Sequence, residues 1–146
     1  IGVGMTFSVF MTIDGKPEPK GRPRFRRVKN FVQTYTPAKT KNYEDKVRDV
    51  AKQAMGSLEP LETPIGIQMS IKLPVPKSYS KKRSSDCLNK FEMPTKKPDW
   101  DNVAKAITDA FNGIVYIDDS QIVAANIHKM YALEPCVEVY VYEYLR

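Results

Sequence analysis

The chain has 146 residues, 42% hydrophobic and 27% charged, with 23 lysines and arginines against 17 aspartates and glutamates. That length fits one domain with a sizeable core, and the net charge of +6 favours a negative partner, nucleic acid first and an anionic membrane second. No apolar run reaches the roughly 18 residues of a membrane span. Two cysteines, Cys87 and Cys136, and the single His128 complete no zinc set.

The absence of a signal peptide and the isolated cysteines lead us to expect a reduced, cytoplasmic protein. Residues 1–4 read as an appendage ahead of a natural start at Met5, which gives one domain over 5–146. Phe7, Val9, Met11 and Ile13 alternate, predicting a strand over 6–13. Pro17, Pro19 and Pro23 then forbid a helix and keep a basic segment extended. The stretch "RVKNFVQTY" predicts a hairpin turning near Lys29 and Asn30.

A helix is predicted over 36–56, with Thr36 as N-cap, Pro37 first in the helix and Gly56 as its stop. Its apolar stripe is Tyr43, Val47, Val50, Ala51 and Ala54. Ile65, Ile67, Met69, Ile71 and Leu73 share a strand face, and Ser80 caps a short helix in "SKKRSSDCLNK". In "DNVAKAITDAFNG", Val103, Ala106, Ile107, Ala110 and Phe111 fall at i, i+3, i+4, i+7 and i+8, which predicts a helix over 102–112. "IVYI" reads as a short strand, and "QIVAANIHKMYA" and "CVEVYVYEY" as two longer ones. The expected fold is α+β, a mainly antiparallel mixed sheet with helices packed on one face.

Carboxylates gather in the last third of this basic chain. Asp99 and Asp101 lead into the 102–112 helix, Asp109 lies on it, and Asp118 and Asp119 follow "IVYI". Each has an ordinary reading: helix caps, an Asp101, Lys105, Asp109 ladder at i, i+4, i+8, and a turn at Asp118 and Asp119. Together they point further. The helix rises roughly 18 Å, and a four-residue return strand recovers roughly 13 Å of that, so the two acidic pairs are expected to converge. Clustered carboxylates repel unless a cation neutralises them, and all-oxygen donors select Mg2+ or Mn2+. Such an ion offsets phosphate charge and activates water. Lys105 would place a positive charge on the scissile phosphate.

"DWDNVAKAITDAFNG…IDDSQI" resembles the core motif of RusA-type Holliday junction resolvases, approximately D-x-D-N-x-x-K-x-x-x-D-A followed by D-D-x-Q. The matching residues are Asp99, Asp101, Asn102, Lys105, Asp109, Ala110, Asp118, Asp119 and Gln121. "GKPEPKGRPRF" and "YTPAKTKNYE" are also similar to the openings of phage and prophage members, while residues 56–97 match poorly. The resemblance implies a RusA-like fold and a Mg2+-dependent homodimer that nicks four-way DNA junctions symmetrically. Carried over by position, it implies Asp99, Asp101, Asp119 and Lys105 as the catalytic set, with Asp118 as a supporting metal ligand. Asn102 and Gln121 are expected to be structural, and Asp109 to be a helix-face partner of Lys105.

Two basic patches are expected to contact DNA. The first comprises Lys20, Arg22, Arg24, Arg26, Arg27 and Lys29, with Phe25 between the charges. The second comprises Lys81, Lys82 and Arg83, continued by Lys96 and Lys97. Tyr140, Tyr142 and Tyr144 line one face of the last strand, as a second core face or a dimer contact. Two further readings stay open: a Mg2+ nuclease for branched DNA in general, and a non-catalytic DNA-binding module whose aspartates only cap and pair.

Overall fold

Strand β1 (Ser8–Asp14) pairs antiparallel with β6 (Cys136–Glu143), and β6 pairs antiparallel with β4 (Ile65–Pro74). Strand β5 (Ile122–Ala132) joins the far side of β4 in parallel, giving the order β1-β6-β4-β5. The computed structural model describes residues 7–21 and 24–145. The expected α+β architecture is present, with three helices packed against a mixed, mainly antiparallel sheet.

Period-two alternation decides which side of each strand is buried. Met11 and Ile13 of β1, the Ile65 to Leu73 set of β4, and Val137, Val139 and Val141 of β6 form one continuous core face. Helix α1 (Ala38–Met55) lays Tyr43, Val47, Ala51 and Met55 on that face. Helix α2 (Lys81–Leu88) adds Cys87. Helix α3 (Trp100–Ala110) contributes Val103, Ala106, Ile107 and Ala110. The opposite face carries Tyr140 stacked on Tyr142 at 5.4 Å and Tyr142 against Tyr144 at 6.5 Å. Gly66 opposes Tyr142 across β4 and β6, and a Cβ there would lie 2.2 Å from the tyrosine ring.

Some boundaries differ from expectation. Helix α1 starts at Ala38 with Pro37 at the N-cap position, so Thr36 does not cap it; Gly56 ends it as expected. Ala54 faces solvent and Met55 takes its place in the core. Ser80 does cap α2, its Oγ accepting from the Arg83 amide at 3.2 Å. The 6–13 strand begins at Ser8, and Thr6 lies outside the described residues. Gln121 belongs to a 3-10 turn over Asp119–Gln121 rather than to β5.

The substantive correction is "IVYI", which is a tight turn and not a strand. Gly113 adopts φ 77°, a region glycine enters without penalty. Its amide donates to the Tyr116 carbonyl at 2.8 Å, and the Val115 amide donates to the Phe111 carbonyl at 3.0 Å. Val115 and Tyr116 are fully buried, with Tyr116 edge-on to Phe111 at 6.2 Å. The Tyr116 hydroxyl donates to the Thr108 carbonyl at 2.7 Å. The chain therefore folds back on the C-terminal half of α3, and the acidic pair that follows arrives there.

Candidate active site

Helix α3 displays its acids and Lys105 on the face away from the core, because its 3.6-residue period commits the alternate face to Val103 and Ile107. Asp99 occupies the N-cap position, yet its side chain makes no capping bond. Asp101, in the first turn, accepts only from the neighbouring Asn102 amide, at 3.0 Å. Both carboxylates are exposed and, among the described residues, neither is in an ion pair.

One turn further on, Lys105 Nζ lies 2.8 Å from Asp109 Oδ1 and 3.2 Å from Asp119 Oδ2. The expected i,i+4 pairing of Lys105 with Asp109 is present, and the same ammonium reaches the residue delivered by the tight turn. Donating to Asp109 and then to Asp119 holds the Lys105 pKa above its usual range, against partial burial. Asp109 also meets Lys20 Nζ at 3.3 Å. Partial burial works against its charge, but the bonds with Lys105 and Lys20 outweigh this and hold its carboxyl below the usual range.

Asp118 takes a different course. Its Oδ2 accepts from the Ser120 amide at 3.0 Å, and the Gln121 side chain accepts from the Asp118 amide at 2.9 Å. Those bonds to Ser120 hold the Asp118 carboxyl below its usual range. Gln121 Nε2 also donates to the carbonyls of Leu61 and Thr63, at 2.9 and 3.0 Å, which anchors the turn to the chain before β4. Gln121 is thus a structural residue.

The two acidic pairs do not converge into one cluster. Among the described residues, no three carboxylate, histidine or cysteine side chains stand close enough together to hold a metal ion. The physical reason is the tight turn, which delivers Asp119 beside Lys105 and Asp109 rather than beside Asp99. The donor chemistry still suits a hard divalent cation. Asp101 offers its carboxylate one helical turn before Lys105, Asp99 at the N-cap position, and Asp119 beside the Lys105 ammonium.

Two residues acquire roles not assigned from sequence. Lys20 bridges Asp109 to Glu44 of α1, and its amide donates to the Asn102 carbonyl at 2.8 Å. Burial opposes its charge, but the Glu44 and Asp109 bonds prevail and raise its pKa. It is an internal tie between α1 and α3 as well as the root of the basic segment. Gly21 beside it donates to Thr40 Oγ1 at 2.9 Å, in a space where a Cβ would come within 2.6 Å of that oxygen. Glu44, nearly buried, is the second addition. Its signal is an acid standing on the Thr40, Val47, Ala51 stripe, where periodicity calls for an apolar residue.

The first basic patch becomes a two-stranded ribbon of β2 (Arg24–Val28) and β3 (Phe31–Tyr35), turning at Lys29 with φ 55°. It forms a sheet separate from the main one. Arg24, Arg26, Arg27, Phe25 and Phe31 are exposed on it, and no acid occurs between residues 24 and 35. Arg26 bonds Gln33 at 3.1 Å and lies 5.3 Å over the Tyr35 ring. Arg22 lies outside the described residues. In the second patch Lys81, Lys82, Lys96 and Lys97 are exposed, whereas Arg83 grips Glu92 at 2.9 and 3.0 Å and covers the Tyr79 ring at 3.6 Å. Lys97 and Asp99 share a cleft of about 420 Å³ with Lys16 and Lys39.

The family model described as Endodeoxyribonuclease RusA matches residues 14–142. The chain is also similar to the uncharacterized protein YqaN of Bacillus subtilis (strain 168), 38% identical over 134 residues, which cover 90% of this chain and 94% of that protein.

Replacing Lys20 by alanine should leave Asp109 with Lys105 alone and Glu44 with only the longer Arg48 contact, and lower stability at pH 7 by about 1–3 kcal/mol. The folded pKa of Asp109 is depressed below 3.8, so its contribution is present above that value and lost as pH falls through the lowered one. Denaturant melts of wild type and Lys20→Ala should therefore draw together below about pH 4. A gap that stays constant down to about pH 2.5 would show that the carboxylates are not what Lys20 stabilises.

Proposed function

The chain belongs to the RusA endodeoxyribonuclease family, and from that premise we propose that it is a Mg2+-dependent endonuclease resolving four-way (Holliday) DNA junctions by paired nicks. The observation that carries the reading is the Lys105 ammonium held between Asp109 and Asp119, with the uncommitted carboxylates of Asp101 one helical turn before it and of Asp99 at the N-cap position.

In this reading Asp99, Asp101 and Asp119 hold the metal, with Mn2+ as an alternative to Mg2+ and Asp118 in support. When bound, the cation offsets phosphate charge and makes water a better nucleophile. The protein's own residues do the rest. Lys105 has three N–H donors; Asp109 and Asp119 take two and fix its direction. The third is free for a non-bridging phosphate oxygen. Its raised pKa keeps it cationic through the neutral range, so it stabilises the charge growing on that oxygen.

The basic ribbon supplies the grip. Two antiparallel strands fit a major groove, and Arg24, Arg26, Arg27 and Lys29 carry positive charge along it without an intervening acid. Lys81, Lys82, Lys96 and Lys97 add a second contact. A junction presents two equivalent strands, so paired nicks require two sites, and a two-fold homodimer provides them. The reaction places the protein in DNA recombination and repair, in the cytoplasm.

A synthetic four-way junction should be nicked with Mg2+ and left intact with EDTA. Asp101→Asn should lower the rate at least about 100-fold while binding is kept or tightened, because the change removes a metal ligand and a negative charge together. Junction binding without cutting under Mg2+ or Mn2+ would leave a binding module instead. Equal cutting of flaps and junctions would widen the substrate to branched DNA.

The ribbon has its own test. Arg24, Arg26 and Arg27 changed together to alanine should flatten the slope of log binding constant against log salt by up to about 2–3. An unchanged slope removes the ribbon from the DNA interface.

A further inference from the structure

A second cleft, of about 490 Å³, opens between the loop after β4 and the segment leading into α3. Its floor is apolar and aromatic: Val75, Tyr79, Pro94 and Tyr131. Lys16, Lys77, Lys96 and Lys97 surround it, all exposed. Among the described residues none of these four lysines is paired with a carboxylate, and the cleft lining contains no acid. The size is that of an ordinary small-ligand site, about 300–1,000 Å³.

Both walls are braced from behind. Tyr79 carries the Arg83 guanidinium 3.6 Å from its ring centroid, and Glu92 holds that guanidinium in place through two bonds. On the other side Lys129 Nζ donates to the carbonyls of Lys96 and Pro98, at 2.8 and 2.9 Å. Burial, with Tyr79 beside it, pushes the Tyr131 phenol up to about 12, so it remains an uncharged hydroxyl. The cleft shares Lys16, Lys97 and Pro98 with the one that contains Asp99, and the two are contiguous.

An aromatic floor inside an acid-free ring of lysines matches a flat apolar ring attached to an anion. A neutral lipid or an apolar peptide would use the floor but not four unpaired cations. We propose that this cleft holds one unpaired nucleotide of a DNA strand, its base against Tyr79 and Tyr131 and its phosphate among the lysines. The strand then continues past Lys97 toward Asp99. This rests on the nucleic-acid reading above. It gives the segment before α3, which the RusA-like motif leaves unexplained, the role of holding a strand that has left the duplex at a branch. Stacking of a base on an aromatic side chain is tolerant of sequence because every base has a π-face.

The proposal is tested by binding in EDTA, where nothing is cut. One probe is an oligothymidylate; the other is a strand of equal length built from abasic units, with the same charge and no bases. Wild type should prefer the base-bearing strand at least about fivefold. Val75→Trp, which fills the cleft, and Tyr79→Ser, which removes the floor, should each abolish that preference and leave abasic binding unchanged. Either variant suffices if the other fails to fold, as judged by its melting curve. Lys96→Ala with Lys97→Ala should weaken both probes equally. Equal binding of the two probes by wild type, or an undiminished preference in both cleft variants, would overturn the proposal. A protein that shows the base preference yet never nicks a junction would overturn the nuclease reading alone.

Discussion

Asp109 is held by two lysines from different parts of the chain, and the arrangement of the whole site follows from that. Lys105 comes from the same helix and Lys20 from the segment after β1. Each lysine also reaches a second carboxylate, Asp119 or Glu44. The result is a chain of alternating charge running from α1, across α3, to the 3-10 turn. Without the ammonium groups, three carboxylates this close together on a partly buried surface would repel one another. With them, the root of the basic ribbon, the exposed face of α3 and the turn carrying Asp118 and Asp119 are fixed relative to one another.

That network also separates two kinds of acid. Glu44 and Asp109 are compensated within the protein and hold the structure together. Asp99 and Asp101, at the exposed start of α3, are not compensated. Asp119 sits between the two groups, touching Lys105 but turned toward solvent enough to take another partner. The cleft that contains Asp99 is lined by Lys16, Lys20, Lys39 and Lys97 together with Glu18. The second, aromatic cleft adjoins the first through Lys16, Lys97 and Pro98.

Much of this is legible in the chain itself. The 3.6-residue spacing from Val103 to Phe111 and the alternation from Ile65 to Leu73 place helix and strand because each buries one full face. The hairpin does turn at Lys29 and Asn30, although the positive φ falls on Lys29 and not on the asparagine that adopts it more readily. "IVYI" misleads because four apolar residues look alike as a strand or as a buried turn. The deciding bonds are local, from Gly113 to Tyr116 and from Val115 to Phe111. Lys20 reads as one more cation of a DNA-binding arm; its partners, Glu44 and Asp109, are distant in sequence and meet it only after α1 and α3 pack. Arg83 is a similar case, since Glu92 and Tyr79 claim it. Local pattern reveals elements, whereas the sharing of charges among them is a tertiary property.

The central proposal is that a divalent cation draws together the carboxylates at the start of α3 and on the 3-10 turn, which do not cluster by themselves. Titrating Mn2+ into isotope-labelled protein and following paramagnetic broadening of its amide resonances tests this residue by residue. Signals of Asp99, Asp101 and Asp119 should broaden first and together, and Mg2+ should reverse the effect. Broadening scattered over the surface acids, with Asp45 and Glu134 affected as early as Asp101, would contradict it.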